Sequence, residues 1–166
     1  MKIRDKVLIL GGGFGGLYTA IHLDKTIASD RDVEVILVNR ENFFLFNPLL
    51  HEVAASDLDL THIVNPIRKI IRHVKFIEGE IESIYINSRK VVVTHGIDKH
   101  HHHELYYDHL VIALGNVTNF KKIPGLQGKA LTMKSLGDAI HLRNLLIEHL
   151  EEADFEKDRD RRESVL

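Results

Sequence analysis

Three glycines in the stretch GGGFGG, Gly11, Gly13 and Gly16, are spaced G-x-G-x-x-G. The chemistry open to that spacing belongs to the main chain: N–H groups can approach an anion with no side chain in the way. Gly11 allows a tight turn, Gly13 leaves room for a pyrophosphate against the backbone, and Gly16 lets a following helix lie close on a sheet. Amides at the start of that helix, with the positive end of its dipole, then hold the phosphate charge. The reading is a site for a dinucleotide diphosphate. The alternative is a glycine-rich turn that serves packing alone.

The first reading needs a strand before the glycines and a helix after them. KVLIL, just ahead, is a continuous apolar run of the kind buried on both faces of a sheet. Residues 14–28 are helical in pattern, with Leu17, Ala20, Ile21, Leu23 and Ile27 near one face. DVEVILVNR is a second buried strand rich in β-branched residues. Strand, helix and strand make a βαβ unit with parallel strands. Its second strand should end in a carboxylate for ribose hydroxyls, and Asn39 stands there, followed by Arg40 and Glu41. Asparagine can bond a hydroxyl without the strength of a charge. Arg40 would suit a phosphorylated ribose. That position alone does not choose the nucleotide.

Beyond the unit, residues 40–48 show no period and read as a loop, with Pro48 opening a short helix. DLTHIVNPIRKII reads as one helix limited or kinked at Pro66. VKFIEGEIESIYIN, KVVVTHG and a weaker piece near Leu105 alternate as an antiparallel meander, turning at NSRK. HLVIALG is another short buried strand ending in glycine, and KIPGLQG is turn material. Residues 135–158 form a helix, opened by Ser135 and Asp138 as a capping box and carrying an apolar stripe of Leu142, Leu145, Leu146 and Leu150. The last dozen residues are mostly charged.

With 166 residues, 44 % of them hydrophobic, the chain can bury one domain core. A net charge of −2 gives no electrostatic case for nucleic acid. There is no cysteine, so disulfides, thiolate metal sites and cysteine nucleophiles are excluded within the sequence. No apolar run is long enough to span a bilayer, and the chain reads as soluble and cytoplasmic. KHHHHELYYDH reads as an exposed tip of the meander rather than a metal site, because neighbours in a loop cannot all face one ion. Phe43, Phe44 and Phe46 either line a pocket or pack under the loop. His51 is either a proton donor or a hydrogen-bonded surface group, and NPIRKIIRHVK reads as a solvated basic helix face.

Taken together, ENFFLFNPLLHEVAAS, IVNPIRKI and YDHLVIALGNVTNFKKIPGL resemble the type II NADH:quinone oxidoreductases, and the likeness runs from Lys6 to the charged tail. The resemblance implies an α/β fold. Its parts are a Rossmann-like FAD-binding domain, with a βαβ unit in a parallel sheet, and an inserted antiparallel β-meander. It assigns Gly11, Gly13, Phe14, Gly15 and Gly16 to the FAD pyrophosphate, and Asn39 and Arg40 to the adenosine ribose. Asn47, Pro48 and Leu49 would run beside the flavin, the Ile81 backbone would meet the adenine, and Ala113, Leu114 and Gly115 would form a strand-end turn passing close to FAD. In that family a second glycine loop for NADH follows, then a segment that completes the FAD domain and a C-terminal region that docks on the cytoplasmic face of the membrane. The implied organisation is residues 1–134 as a partial FAD-binding domain, with residues 135–166 leading toward an NADH-binding domain beyond this sequence. Hydride transfer needs nicotinamide and flavin held in register, so the chain alone is not expected to turn over NADH and quinone. Its exposed apolar surface is expected to favour self-association or a homodimer. Two alternatives stand beside this reading: a flavoprotein like sulfide:quinone oxidoreductase, and a non-catalytic dinucleotide-binding module.

Overall fold

The computed structural model describes residues 5–30, 32–96, 101–121 and 123–165. Four parallel strands form the central sheet in the order β5-β2-β1-β9: β1 is Asp5–Leu10, β2 Val33–Asn39, β5 Lys75–Glu78 and β9 His109–Ile112. Side chains alternate along a strand, and here both faces are covered. Val7, Ile9, Val35 and Leu37 bury one face with Leu17 and Ala20 of helix α1 (Phe14–Thr26) and with Ile67, Ile71 and Val74. Leu8, Leu10, Ile36 and Val38 bury the other face with Val91, Val93 and Tyr107 of the meander region. That double covering is why the first two strands read as unbroken apolar runs. β9 departs from the expected buried strand: it is the sheet's edge, and Ile112 is exposed.

The meander is antiparallel, in the order β6-β7-β8, with β6 Glu80–Tyr85, β7 Lys90–His95 and β8 His101–Tyr106. VKFIEGEIESIYIN does not form one strand of it. The run divides at the buried Gly79, its first half pairing parallel with β2 and its second antiparallel with β7. A Cβ on Gly79 would press into Val93, so glycine permits the change of sheet there. The expected tip is strand where it is described: His101 to His103 are exposed residues of β8, while His100 lies outside the described residues.

Two further expectations are corrected. Within residues 40–48, β3 (Phe43–Leu45) pairs with β4 (Val64–Pro66) as a two-stranded ribbon. DLTHIVNPIRKII is not one helix but a 3-10 turn (Leu60–His62), β4, and the short helix α3 (Ile67–Ile70). Proline disfavours helical backbone in the residue before it and has no N–H to give, so the helical turn begins only after Pro66. The chain divides into two contact units, residues 1–44 with 65–116 and residues 45–64 with 117–166.

The second unit has its own small core. Leu50, Val53 and Ala54 of α2 (Leu50–Ala54) pack with Ile63 and with Ala139 of α4 (Leu136–Phe155). α4 opens on the expected capping box: Ser135 Oγ accepts from Asp138 N at 3.1 Å, and Asp138 Oδ2 accepts from Ser135 N at 3.1 Å. The N–H of Lys134 also reaches that carboxylate, at 2.8 Å, and is the foremost cause of its lowered pKa. The expected leucine stripe is only partly used. Leu142 packs against the small core, whereas Leu146, Ile147, Leu150 and Phe155 are exposed. The charged tail holds a last helix, α5 (Arg159–Val165), with an exposed Arg159–Glu163 pair.

One polar staple fastens the first unit. Asp24 on α1 keeps 12 % of its side chain exposed, and its Oδ1 accepts three consecutive main-chain N–H groups, from Arg72 (3.0 Å), His73 (2.6 Å) and Val74 (2.9 Å). Burial pushes its pKa up. The bonds from Val74, His73 and Arg72 and the nearby His73 ring outweigh that, and the net direction is down.

Candidate functional site

At the end of β1 the chain turns through Gly11 with φ +99°, and a Cβ there would collide with the Ala113 carbonyl. A Cβ on Gly16 would enter the Gly11 carbonyl. Both glycines are therefore demanded by the chain's own packing, as close helix-to-sheet approach requires. Gly13 is different. Its φ is −76°, it is exposed, and apart from its immediate chain neighbours no atom of the described residues lies within 4 Å of where its Cβ would be. Neither backbone conformation nor internal packing asks for glycine at that position. Gly13 is also the N-cap of α1, which starts with no side-chain cap and no acidic residue in its first turn. The positive end of the helix is thus not neutralised by the first turn itself. Gly15 is exposed, with ordinary room beside Ala113.

Asn39, at the end of β2, is tied to this loop. Its Oδ1 accepts from Gly12 N at 2.7 Å, and its Nδ2 donates to Glu41 O at 2.8 Å. One partner donates and the other accepts, which an amide satisfies and a carboxylate cannot. Asparagine at this position is thereby explained by the loop it holds. Asn39→Asp is expected to lower stability by about 1 kcal/mol near neutral pH, because one carboxylate oxygen would face the Glu41 carbonyl. The loss should shrink in acid, where a protonated carboxyl can donate again. Urea unfolding of both chains across pH checks this, and a pH-independent gap would count against it.

Arg40 follows, exposed and 3.5 Å from Glu41. It lines a cleft of about 480 Å³ with Glu78, Gly79, Glu80, Thr94, His95 and Gly96. The cleft lies past the carboxyl ends of β2 and β5, where open α/β sheets place their ligands. Asn39 joins the two features, since its carbonyl accepts from Gly79 N at 2.9 Å. The sequence reading missed Thr94 and His95 here. They come from the meander, and only strand register carries them to the cleft.

Ala113 N donates to Leu10 O at 2.8 Å, which seats the turn after β9 against the glycine loop; Gly115 takes φ +73° and Leu114 is exposed. Phe14 meets the buried Phe44 edge to face at 5.1 Å. Phe44 is a core residue, while Phe46 is exposed. Ile81 packs its side chain on the meander-side core and pairs with Val93. Asn47, Pro48 and Leu49 form an exposed to half-buried 3-10 turn of the second unit. His51 is exposed beside Glu52 at 3.3 Å.

This arrangement is that of a nucleotide-binding oxidoreductase fold, and residues 5–155 place the chain in the pyridine nucleotide-disulphide oxidoreductase family, to which it belongs. Within that family it resembles the type II NADH:quinone oxidoreductases. It is 36 % identical over 158 residues to the demethylphylloquinone reductase of Synechocystis, covering 93 % of this chain and 38 % of that protein. It is 33 % identical over 138 residues to the type II NADH:quinone oxidoreductase of Staphylococcus haemolyticus, covering 82 % and 32 %. The fold matches NDH2 from Plasmodium falciparum, solved in complex with NADH, with a TM-score of 0.82 at 24 % identity over 96 % of this chain and 32 % of that one. The chain thus spans roughly a third of the length of these relatives.

Proposed function

We infer that this chain is the FAD-binding part of a flavoprotein that passes electrons from NADH to a quinone. The observation that carries the reading is Gly13, a glycine that nothing among the described residues requires, at the start of α1, where no side chain caps the helix. The donor set fits a diphosphate: main-chain N–H groups, no carboxylate in the first turn, and Arg40 past the next strand. Gly11, Gly13, Phe14, Gly15 and Gly16 would hold the pyrophosphate. Asn39 and Arg40 would serve the ribose and the Ile81 backbone the adenine. Asn47, Pro48, Leu49, Ala113, Leu114 and Gly115 would serve the flavin side. When bound, FAD supplies hydride acceptance and onward electron transfer; the residues of this chain bind and orient it.

Among the described residues no helix is long and apolar enough to cross a membrane. A peripheral place on the cytoplasmic face, and self-association through the exposed apolar residues of α4, belong to the same reading. Reconstitution tests it. The purified chain, mixed with FAD and passed through a desalting column, should retain the flavin's visible absorption band with one flavin per chain. A colourless protein that is folded by circular dichroism would contradict the reading.

A further inference from the structure

The histidine run has a geometry that the flavin reading leaves unused. Successive side chains of a strand point to opposite faces, so His101 and His103 share one face of β8 and His102 takes the other. The register of the meander sets His95 on β7 opposite His101, and Val93 opposite His103. His95 therefore belongs to the face of His101 and His103, although it lies outside the run in sequence. Its ring lies almost flat against both. The centroids are 4.5 Å from His103 with planes 18° apart, and 5.5 Å from His101 with planes 26° apart. His102 is engaged elsewhere, its Nδ1 2.9 Å from Glu82 Oε2 across the sheet.

We propose that His95, His101 and His103 form a three-imidazole site for a late first-row divalent cation such as Zn²⁺, with His102 outside it. Imidazole suits Zn²⁺, Cu²⁺ and Ni²⁺, and three histidines leave a fourth position for water. As the rings stand, no group of three ligating side chains among the described residues is set to hold an ion. The backbone spacing is the part already in place; closing the site takes rotation of side chains about χ1 and χ2. His101 and His103 are exposed, so their rotation displaces no core contact, and exposed rotamers exchange in picoseconds to nanoseconds. His95 is half-buried at the rim of the Arg40 cleft and supplies the more fixed of the three rings. A flexible histidine tract would use its neighbours in sequence indiscriminately. The strand geometry instead recruits one distant histidine and rejects one in the middle of the run.

That contrast is the test. Zn²⁺ alone is titrated by calorimetry into the full chain, prepared without a purification tag. One ion per chain should bind, and replacing Zn²⁺ with Co²⁺ should give the visible bands of a four-coordinate ion. His95→Ala, His95→Gln and His103→Ala should each weaken Zn²⁺ binding by at least about tenfold. His102→Ala should leave it unchanged. Circular dichroism of each variant reports whether the meander is kept, and His95→Gln retains a polar side chain of similar reach. No binding, His102→Ala as damaging as His95→Ala, or silent folded variants of His95 would each overturn the site.

Discussion

Asp24→Ala is expected to lower the unfolding free energy by about 3 kcal/mol near neutral pH, the worth of a largely buried carboxylate accepting several main-chain bonds. The substitution would leave the N–H groups of Arg72, His73 and Val74 without their common acceptor, at a place where α1 is fastened to the chain entering β5. The carboxyl's pKa is lowered in the fold: burial raises it, but the three bonds and His73 outweigh burial. A depressed pKa means the stabilisation is present above the ordinary value of 3.8 and is lost as pH falls through the lowered folded value. Urea unfolding of the natural chain and Asp24→Asn should therefore show a gap at neutral pH that closes in strong acid. A gap unchanged by acid would remove the charge from the explanation.

Gly16→Ala is expected to be at least as damaging, about 3 kcal/mol or more, because the added methyl enters a backbone carbonyl rather than a movable side chain. The Gly11 carbonyl is fixed by the turn that leaves β1, and the Gly11 N–H is bonded to Val38 O at 2.8 Å. Relief would have to come from α1 lifting off the sheet. Leu17 and Ala20, both fully buried, would then lose their packing against Val7, Ile9, Val35 and Leu37. Thermal unfolding followed by circular dichroism should show a much lower transition, or a chain that does not fold. An unaltered transition would mean that the close approach of α1 to the glycine turn has been misplaced.

The parts of the fold legible in the sequence were those where one physical demand dominates. The apolar runs of β1 and β2 announced strands covered on both faces, and the spacing of Gly11, Gly13 and Gly16 announced the turn between β1 and α1. Ser135 and Asp138 announced the start of α4. The misreadings share a cause, which is that partners distant in sequence decided the outcome. Whether Phe43 to Leu45 forms strand depends on the segment ending at Pro66. Whether Lys75 to Glu78 joins the parallel sheet or the meander depends on β2 and on the absence of a side chain at Gly79. The role of Asn39 was half legible. Its place at the end of β2 marked it as a candidate for ribose contact, but only the bonds to Gly12 and Glu41 explain why an amide stands there. The histidines show the same limit, since no spacing in KHHHHELYYDH reveals that His95 completes their face.

Gly13, on this reading, serves a bound diphosphate rather than the fold. The direct measurement is an FAD titration, followed by quenching of flavin fluorescence, of the natural chain and of Gly13→Val. Because the space beside Gly13 is open and its φ is ordinary, Gly13→Val should lose no more than about 1 kcal/mol of unfolding free energy, the scale of a poorer N-cap. Its affinity for FAD should nonetheless fall by at least about a hundredfold, more than 2.7 kcal/mol of binding. A folded Gly13→Val chain that binds FAD as tightly as the natural one would contradict the account.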